Sequence, residues 1–328
     1  MLARVRAFPR GRAILIGLAV VAVAVVAVVF WQLSRVAPTT AAASPTPSPS
    51  PSPSPTASPS PTPTPAPTPN PFASRRLTVL ILGSDSNPSR LSRGSGRLTD
   101  SIMVVSVNAA HTRVSMISVP RDTVDIPLGN GQIWRSKINA ISYYLGESRM
   151  KKAIAATIRQ PIDYYIEINM VDFGALVNAI GGVDIKVPKT IYDPSIGLYV
   201  KAGTRHMNGN LALSYARSRH TTSDWDRAAR QQALVVAIIR KMVDPKTKID
   251  FPKLIASMKS MLTDMPLDKF LGLIQVARAA SHAKFTNVVL SPPRYSLFAG
   301  IEAGTGRGYI EEPNLPAIRA YAASVMGS

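Results

Sequence analysis

Two aspartates and a set of arginines stand where strands should end and a helix should begin, and these residue types suit chemistry on phosphate. Asp85, in Ser84-Asp85-Ser86, directly follows an apolar run, and Asp100 opens another after a polar loop carrying Arg90, Arg93 and Arg97. If the two strands lie side by side, their carboxylates meet at one edge of a sheet. Paired carboxylates with open positions suit Mg²⁺, which takes oxygen ligands and keeps waters and substrate phosphates in its shell. A single Asp in such a place is ordinarily a turn residue, so the pairing carries the reading. Arg121, in Pro120-Arg121-Asp122, ends a third strand, where Asp122 would at least form a local ion pair. Arg217 and Arg219 are two apart and would share a face in an extended segment. The planar guanidinium fork is the side chain best matched to bidentate phosphate contacts.

A helix expected over 226–242 sharpens this pattern. Leu234, Val235, Ile238, Ile239 and Met242 form its apolar stripe, and Arg227, Arg230 and Gln231 continue that stripe toward the amino end. Polar groups on a core-facing stripe either find partners or line a pocket, and a helix amino terminus itself favours phosphate. Asp224, just before this helix, is either its N-cap or a catalytic carboxylate. The four histidines, His111, His206, His220 and His282, show no metal-ligand spacing. Gly94-Ser95-Gly96 is a weak phosphate-loop signal, and no nucleophile-elbow serine motif is present.

The elements that must position these groups follow from periodicity. Leu77–Leu82, Ile102–Val107 and Val114–Val119 read as strands, the last two joined by a turn at Asn108–His111. A helix over 149–160, a strand over 162–168 and a helix over 171–180 come next. Gly181-Gly182 stops that helix, and Val183, Ile185 and Val187 alternate as a strand. Such alternation predicts an α/β (α+β) domain with a central mixed sheet flanked by helices.

The chain has 328 residues, 38 Lys and Arg against 19 Asp and Glu, 28 prolines and no cysteine. The last point excludes disulfides, thiolate metal sites and cysteine nucleophiles. The formal charge of +19 implies an anionic partner: nucleic acid, a membrane surface or a phosphate-bearing substrate. Four arginines in the first twelve residues precede an uncharged apolar run over 13–33, long enough to span a bilayer, with the basic tail on the cytoplasmic side. A cleaved signal peptide is the alternative, with Ala41-Ala42-Ala43 as the cleavage site; the length of the apolar run favours an uncleaved anchor. The remainder is then extracytoplasmic, which removes nucleic acid as a partner. Residues 34–74 hold a Ser-Pro and Thr-Pro tract that should form an extended linker. A domain core is expected over 75–243, with 244–328 as a C-terminal extension packed on it.

The sequence resembles the LytR-CpsA-Psr family of bacterial cell-envelope proteins. The strings are LILGSDS at 80–86, LTDSIMVVSVN at 98–108, MISVPRDT at 116–123, KINA at 137–140, PIDYYIEIN at 161–169, and GTRHMNGNLALSYARSRHTTSDWDRAARQQ from Gly203 to Gln232. The resemblance implies a membrane-anchored phosphotransferase that moves an anionic glycopolymer, of the wall teichoic acid kind, from a polyprenyl diphosphate carrier to peptidoglycan with Mg²⁺. It implies Asp85 and Asp100 as metal carboxylates. Arg121, Arg217, Arg219 and Arg227 would hold the diphosphate, with Arg230 and Gln231 close behind, and Asp224 is the acid that would activate the acceptor hydroxyl. It also implies an apolar cavity between sheet and helices for the polyprenyl chain. The family's Gly-Asp-Phe-Gly-Arg is Ser223-Asp224-Trp225-Asp226-Arg227 here. A hydrolase of the same linkage and a non-catalytic binder of anionic envelope polymers are the rival readings.

Overall fold

The computed structural model describes residues 70–86, 92, 98–220 and 223–327. The expected membrane span, residues 34–69 of the expected linker, and the loop arginines 90, 93 and 97 lie outside the described residues. Among the described residues, no helix is long and apolar enough to cross a membrane.

Six strands make the central sheet, in the order β11-β6-β1-β2-β3-β12. They are β1 (Leu77–Ser84), β2 (Thr99–Val107), β3 (Arg113–Ser118), β6 (Tyr164–Asn169), β11 (Leu262–Thr263) and β12 (Lys284–Val289). β1 and β3 run antiparallel to β2, β6 runs parallel to β1, and β12 runs parallel to β3. This topology decides where the chemistry lies. The ends of β1, β3, β6 and β12 and the start of β2 all fall at one end of the sheet. Asp85, Asp100 and Arg121 are therefore gathered there by strand direction alone. The expectation of a mixed sheet flanked by helices is met, and both edge strands, β11 and β12, come from residues after 243.

One face of the sheet, through Leu80, Leu82, Ile102, Val104, Ile117 and Val119, packs on α2 (Glu147–Ile158) and α8 (Leu315–Met326). Each such fully buried aliphatic side chain stabilises the fold by about 1.5–3 kcal/mol. The short helix α1 (Ile141–Leu145) precedes α2, and Gly146, at φ +85°, breaks the two apart. The other face carries Met103, Val105 and Met116, packed with Val235 and Val236 of α5 (Asp224–Val243) and Ala280 beyond α7 (Leu267–Ala279). A satellite core forms around α3 (Met170–Ala179), α4 (Gly209–Arg217) and the hairpins β7 (Val183–Val187) with β10 (Gly203–Met207) and β8 (Ile191–Asp193) with β9 (Leu198–Val200). Helix α6 (Phe251–Ser257) packs against α3, and two small ribbons, β4 (Ile126–Pro127) with β5 (Ile133–Trp134) and β13 (Ser296–Ile301) with β14 (Tyr309–Pro313), complete the domain. α3 and α4 cross so closely that a Cβ on Gly209 would lie 1.9 Å from the Gly174 carbonyl oxygen. Only glycine permits that crossing.

Two expectations are corrected. Arg217 and Arg219 do not lie in an extended segment: Arg217 is the last residue of α4 and Ser218 its C-cap. Asp224 is not an N-cap. Ser223 holds that position, and its hydroxyl and the Asp226 carboxylate bond each other's backbone N–H as a capping box. The additional acid at Asp226 thus caps the helix and leaves Asp224 free to face inward.

Candidate active site

Local irregularities aim the acidic side chains. β1 and β2 slip register after Gly83: Gly83 faces Ser101 and Ser84 faces Thr99, so Asp100 is the additional residue of a bulge. A bulge turns its residue out of the ladder and re-aims it. The close pairing also requires Gly83, where a Cβ would lie 2.9 Å from that of Ser101. Beyond the bulge, Asp85 N donates to Leu98 O and Leu98 N donates to Asp85 Oδ1, each at 3.0 Å, which pins the loop at its base.

Around this end of the sheet the charges form one network. Arg121 Nη1 donates to Asp100 Oδ2 at 2.9 Å, and its Nε lies 3.5 Å from Asp122 Oδ2 and 3.8 Å from Asp224 Oδ1. Burial works against the Arg121 charge, but Asp100, Asp122 and Asp224 outweigh it and raise the guanidinium pKa above its ordinary value. Arg227, 5% exposed, donates from Nη2 to Asp100 O at 3.1 Å and to Asp224 Oδ2 at 2.9 Å. Burial lowers its pKa, with Asp224 opposing. Arg219 Nη1 approaches Asp224 Oδ1 at 3.8 Å. Three buried polar atoms at this junction, Arg121 Nε, Asp224 Oδ1 and Arg227 Nε, have no hydrogen-bond partner. Buried groups left so are costly unless a ligand completes them.

The network borders a cavity of about 600 Å³. Asp85, Asp100, Arg121, Arg217, Arg219, Arg227 and Gln231 line its polar part. Ile81 and Met103 of the sheet, Phe173 of α3, Leu213 of α4, and Leu234 and Val235 of α5 line its apolar part. A charged mouth on an apolar chamber suits a ligand with an anionic head and a hydrocarbon tail.

The structure brings together every expected site residue except Arg230. Arg230 is 7% exposed and lies behind the cavity wall, donating to the carbonyls of Tyr215 and Ser218. It therefore fixes the α4 terminus carrying Arg217 and Arg219, and the expectation that it contacts the diphosphate is corrected. Gln231 reaches the lining while donating to Ala216 O at 3.2 Å.

Sequence reasoning missed four supports. Asn139 donates to Asp100 Oδ1 at 3.4 Å, and Lys137 Nζ lies 2.7 Å from Asp122 Oδ1. Asp193, 2% exposed, accepts from Ser218 Oγ at 2.7 Å and from the backbone N–H groups of Arg219 and His220 at 3.3 Å. Hydrogen bonds, led by that from Ser195, hold its carboxyl far below the usual range. Gln232 bonds Ser118 Oγ and Val288 O, tying α5 to the sheet. Of these, Lys137 and Asn139 lie within KINA and Gln232 ends the string from Gly203, so Asp193 alone stands outside the matched strings.

Among the described residues, no group of three or more His, Asp or Glu side chains is placed to hold a metal. Asp85 and Asp100 both line the cavity, and their carboxylate oxygens are the donor type that Mg²⁺ takes alongside water and phosphate.

These features join a cluster of arginines and aspartates to an apolar chamber. The chain belongs to the LytR_cpsA_psr family, which it matches over residues 52–292. It is 30% identical over 172 residues to the Bacillus subtilis polyisoprenyl-teichoic acid–peptidoglycan teichoic acid transferase TagV, covering 50% of this chain and 43% of that one. It is 28% identical over 203 residues to the Bacillus cereus transferase TagU, covering 61% and 64%. The chain thus spans about half the length of the curated relatives it matches. The crystal structure of B. subtilis TagV shares the fold, with a TM-score of 0.60 at 24% identity over 77% of this chain and 98% of that one. The structure of TagT bound to LIIa-WTA does so with a TM-score of 0.61 at 20% identity, covering 78% and 93%.

Proposed function

We propose that the chain is a phosphotransferase that moves an anionic glycopolymer from a polyprenyl diphosphate carrier to a peptidoglycan sugar hydroxyl. The observation that carries this reading is the junction of Arg121, Arg219 and Arg227 with the apolar chamber: the arginines suit the diphosphate and the chamber suits the lipid. The family membership and the names of TagV and TagU support the class of reaction.

In this reading, Arg121, Arg219 and Arg227, which line the cavity, bond diphosphate oxygens and fix the donor in line for attack. The acceptor hydroxyl gives its proton to Asp224 Oδ1, the carboxylate oxygen with no hydrogen-bond partner. Its oxygen bonds the sugar-linked phosphorus, the bond from that phosphorus to the bridging oxygen breaks, and polyprenyl phosphate departs with its charge held by the arginines. Asp85 and Asp100 would hold Mg²⁺, which supplies further neutralising charge to phosphate oxygens when bound. The apolar run over 13–33 and the basic residues before it support a site outside the cytoplasmic membrane.

The experiment supplies the full chain with a lipid-diphosphate-linked glycopolymer and peptidoglycan and looks for a phosphodiester between the two polymers. Donor binding without transfer contradicts the reading. Equal turnover with peptidoglycan omitted identifies a hydrolase.

A further inference from the structure

Glu311 lies beyond residue 292, where the family match ends. It is 2% exposed on β14, and its backbone is stitched to the loop that carries Arg121. Glu311 N donates to Asp122 O and Val124 N donates to Glu311 O, both at 3.0 Å, with a bridge to Thr123 between them. Its side chain faces the start of α5, where Trp225 Nε1 donates to both carboxylate oxygens at 3.2 Å. Trp225 directly follows Asp224. The groups facing this carboxyl are Asp122 from the Arg121 loop, itself paired with Lys137; Asp224 and Trp225 from α5; Ser296 from β13; and Tyr309 from its own strand. Burial first, then Asp122 and Asp224, push its pKa up to about 7, against the bonds from Trp225 and Ser296.

Resting on the diphosphate reading above, we infer that Glu311 is a positioning residue whose protonation state sets the charge of the arginine mouth. Protonated, it leaves Arg121, Arg219, Arg227 and Lys137 opposed by Asp100, Asp122 and Asp224 alone, which favours a dianionic diphosphate. Ionised, it adds a fourth acid behind Asp122 and Asp224 and weakens that binding. Proton uptake from solvent and donor binding therefore favour each other, because coupling between two binding events is reciprocal. Nothing in this role requires Glu311 to touch the donor.

The test measures binding of farnesyl-diphospho-N-acetylglucosamine to the full chain from about pH 5.5 to 8.5 at constant salt. This probe is a diester whose two phosphates stay singly charged over that range, so the ligand adds no titration of its own. Wild-type affinity falls about fivefold as pH rises through neutrality. Glu311→Gln flattens the curve and keeps the tight affinity at high pH. Trp225→Phe removes the main bond opposing the upward shift and moves the midpoint to higher pH, which keeps the proposal testable if the glutamine variant misfolds. A Glu311→Gln curve identical to wild type overturns the inference, as does a flattened curve in His220→Gln alone, since His220 also lines the cavity. A midpoint unmoved in Trp225→Phe overturns it too. No binding at any pH contradicts the diphosphate reading itself, and the inference falls with it.

Discussion

Asp224 and Arg227, one helical turn apart at the start of α5, are joined Oδ2 to Nη2 at 2.9 Å, while Asp224 Oδ1 is buried with no hydrogen-bond partner. One oxygen is thus held in place, and the other, which takes the acceptor's proton in the proposed reaction, faces Arg121 Nε and Arg219 Nη1 at 3.8 Å. Asp224→Asn keeps the shape and the bond to Arg227 but cannot take a proton. It is expected to lower turnover by about 10²–10⁴-fold while donor affinity stays equal or tightens, since a negative charge beside the arginines is removed. Kinetics with separate donor binding check this; a variant that loses binding in step with turnover assigns Asp224 to donor positioning.

Arg227→Lys keeps the positive charge and loses the fork that reaches Asp100 O and Asp224 together. Transfer efficiency, kcat/KM, is expected to fall at least about 100-fold. Melting and activity measured together distinguish this from unfolding.

The chamber itself is tested by filling it. Leu213→Trp places a large side chain on its lining. The expected result is a rise of about tenfold in KM for donors with long lipids and little change for donors with very short ones. Equal losses for both argue that the lipid lies elsewhere.

Asp85→Asn removes one proposed metal carboxylate without disturbing Arg121. Activity is expected to need at least about tenfold more Mg²⁺, and a chelator is expected to abolish transfer by the wild type. An unchanged Mg²⁺ titration removes Asp85 from the metal site.

Glu167, on β6, has its pKa pushed up to about 7 by burial first and by Glu147, with a bond from Ser84 opposing. The folded state therefore binds this proton more tightly than the unfolded chain. Its contribution to stability is intact at low pH, declines as pH rises from the ordinary glutamate value, and levels off above about pH 7. Glu167→Gln is accordingly expected to gain about 1–3 kcal/mol over wild type at pH 8 and nothing at pH 4, read by denaturant melts.

Much of this site is legible in the sequence because strand direction and helix periodicity place it. Apolar runs at 77–82, 102–107 and 114–119 become neighbouring strands, and their polar flanks carry Asp85, Asp100 and Arg121 to one end. The helix at 226–242 extends by two residues before and one after, because its cap is Ser223. β2 begins three residues before its apolar run because the Asp100 bulge lets pairing continue to Thr99. Arg230 shows the limit of a stripe argument. Periodicity places it facing inward, but only packing shows that it meets carbonyls of α4 instead of the cavity. Glu311 carries no local signal, and Gln232, though it ends a matched string, gives no sign of its partner; their partners lie 86 and 114 residues away.

Position-specific phosphorus labelling tests the central claim most directly. The donor carries a label on either the sugar-linked or the lipid-linked phosphate, and the full chain is given peptidoglycan as acceptor. Label on the sugar-linked phosphate is expected to enter the peptidoglycan phosphodiester, and label on the lipid-linked phosphate to leave as polyprenyl phosphate. Both labels remaining with the lipid, or both entering the polymer, would contradict attack at the phosphorus held between Arg121, Arg227 and Asp224.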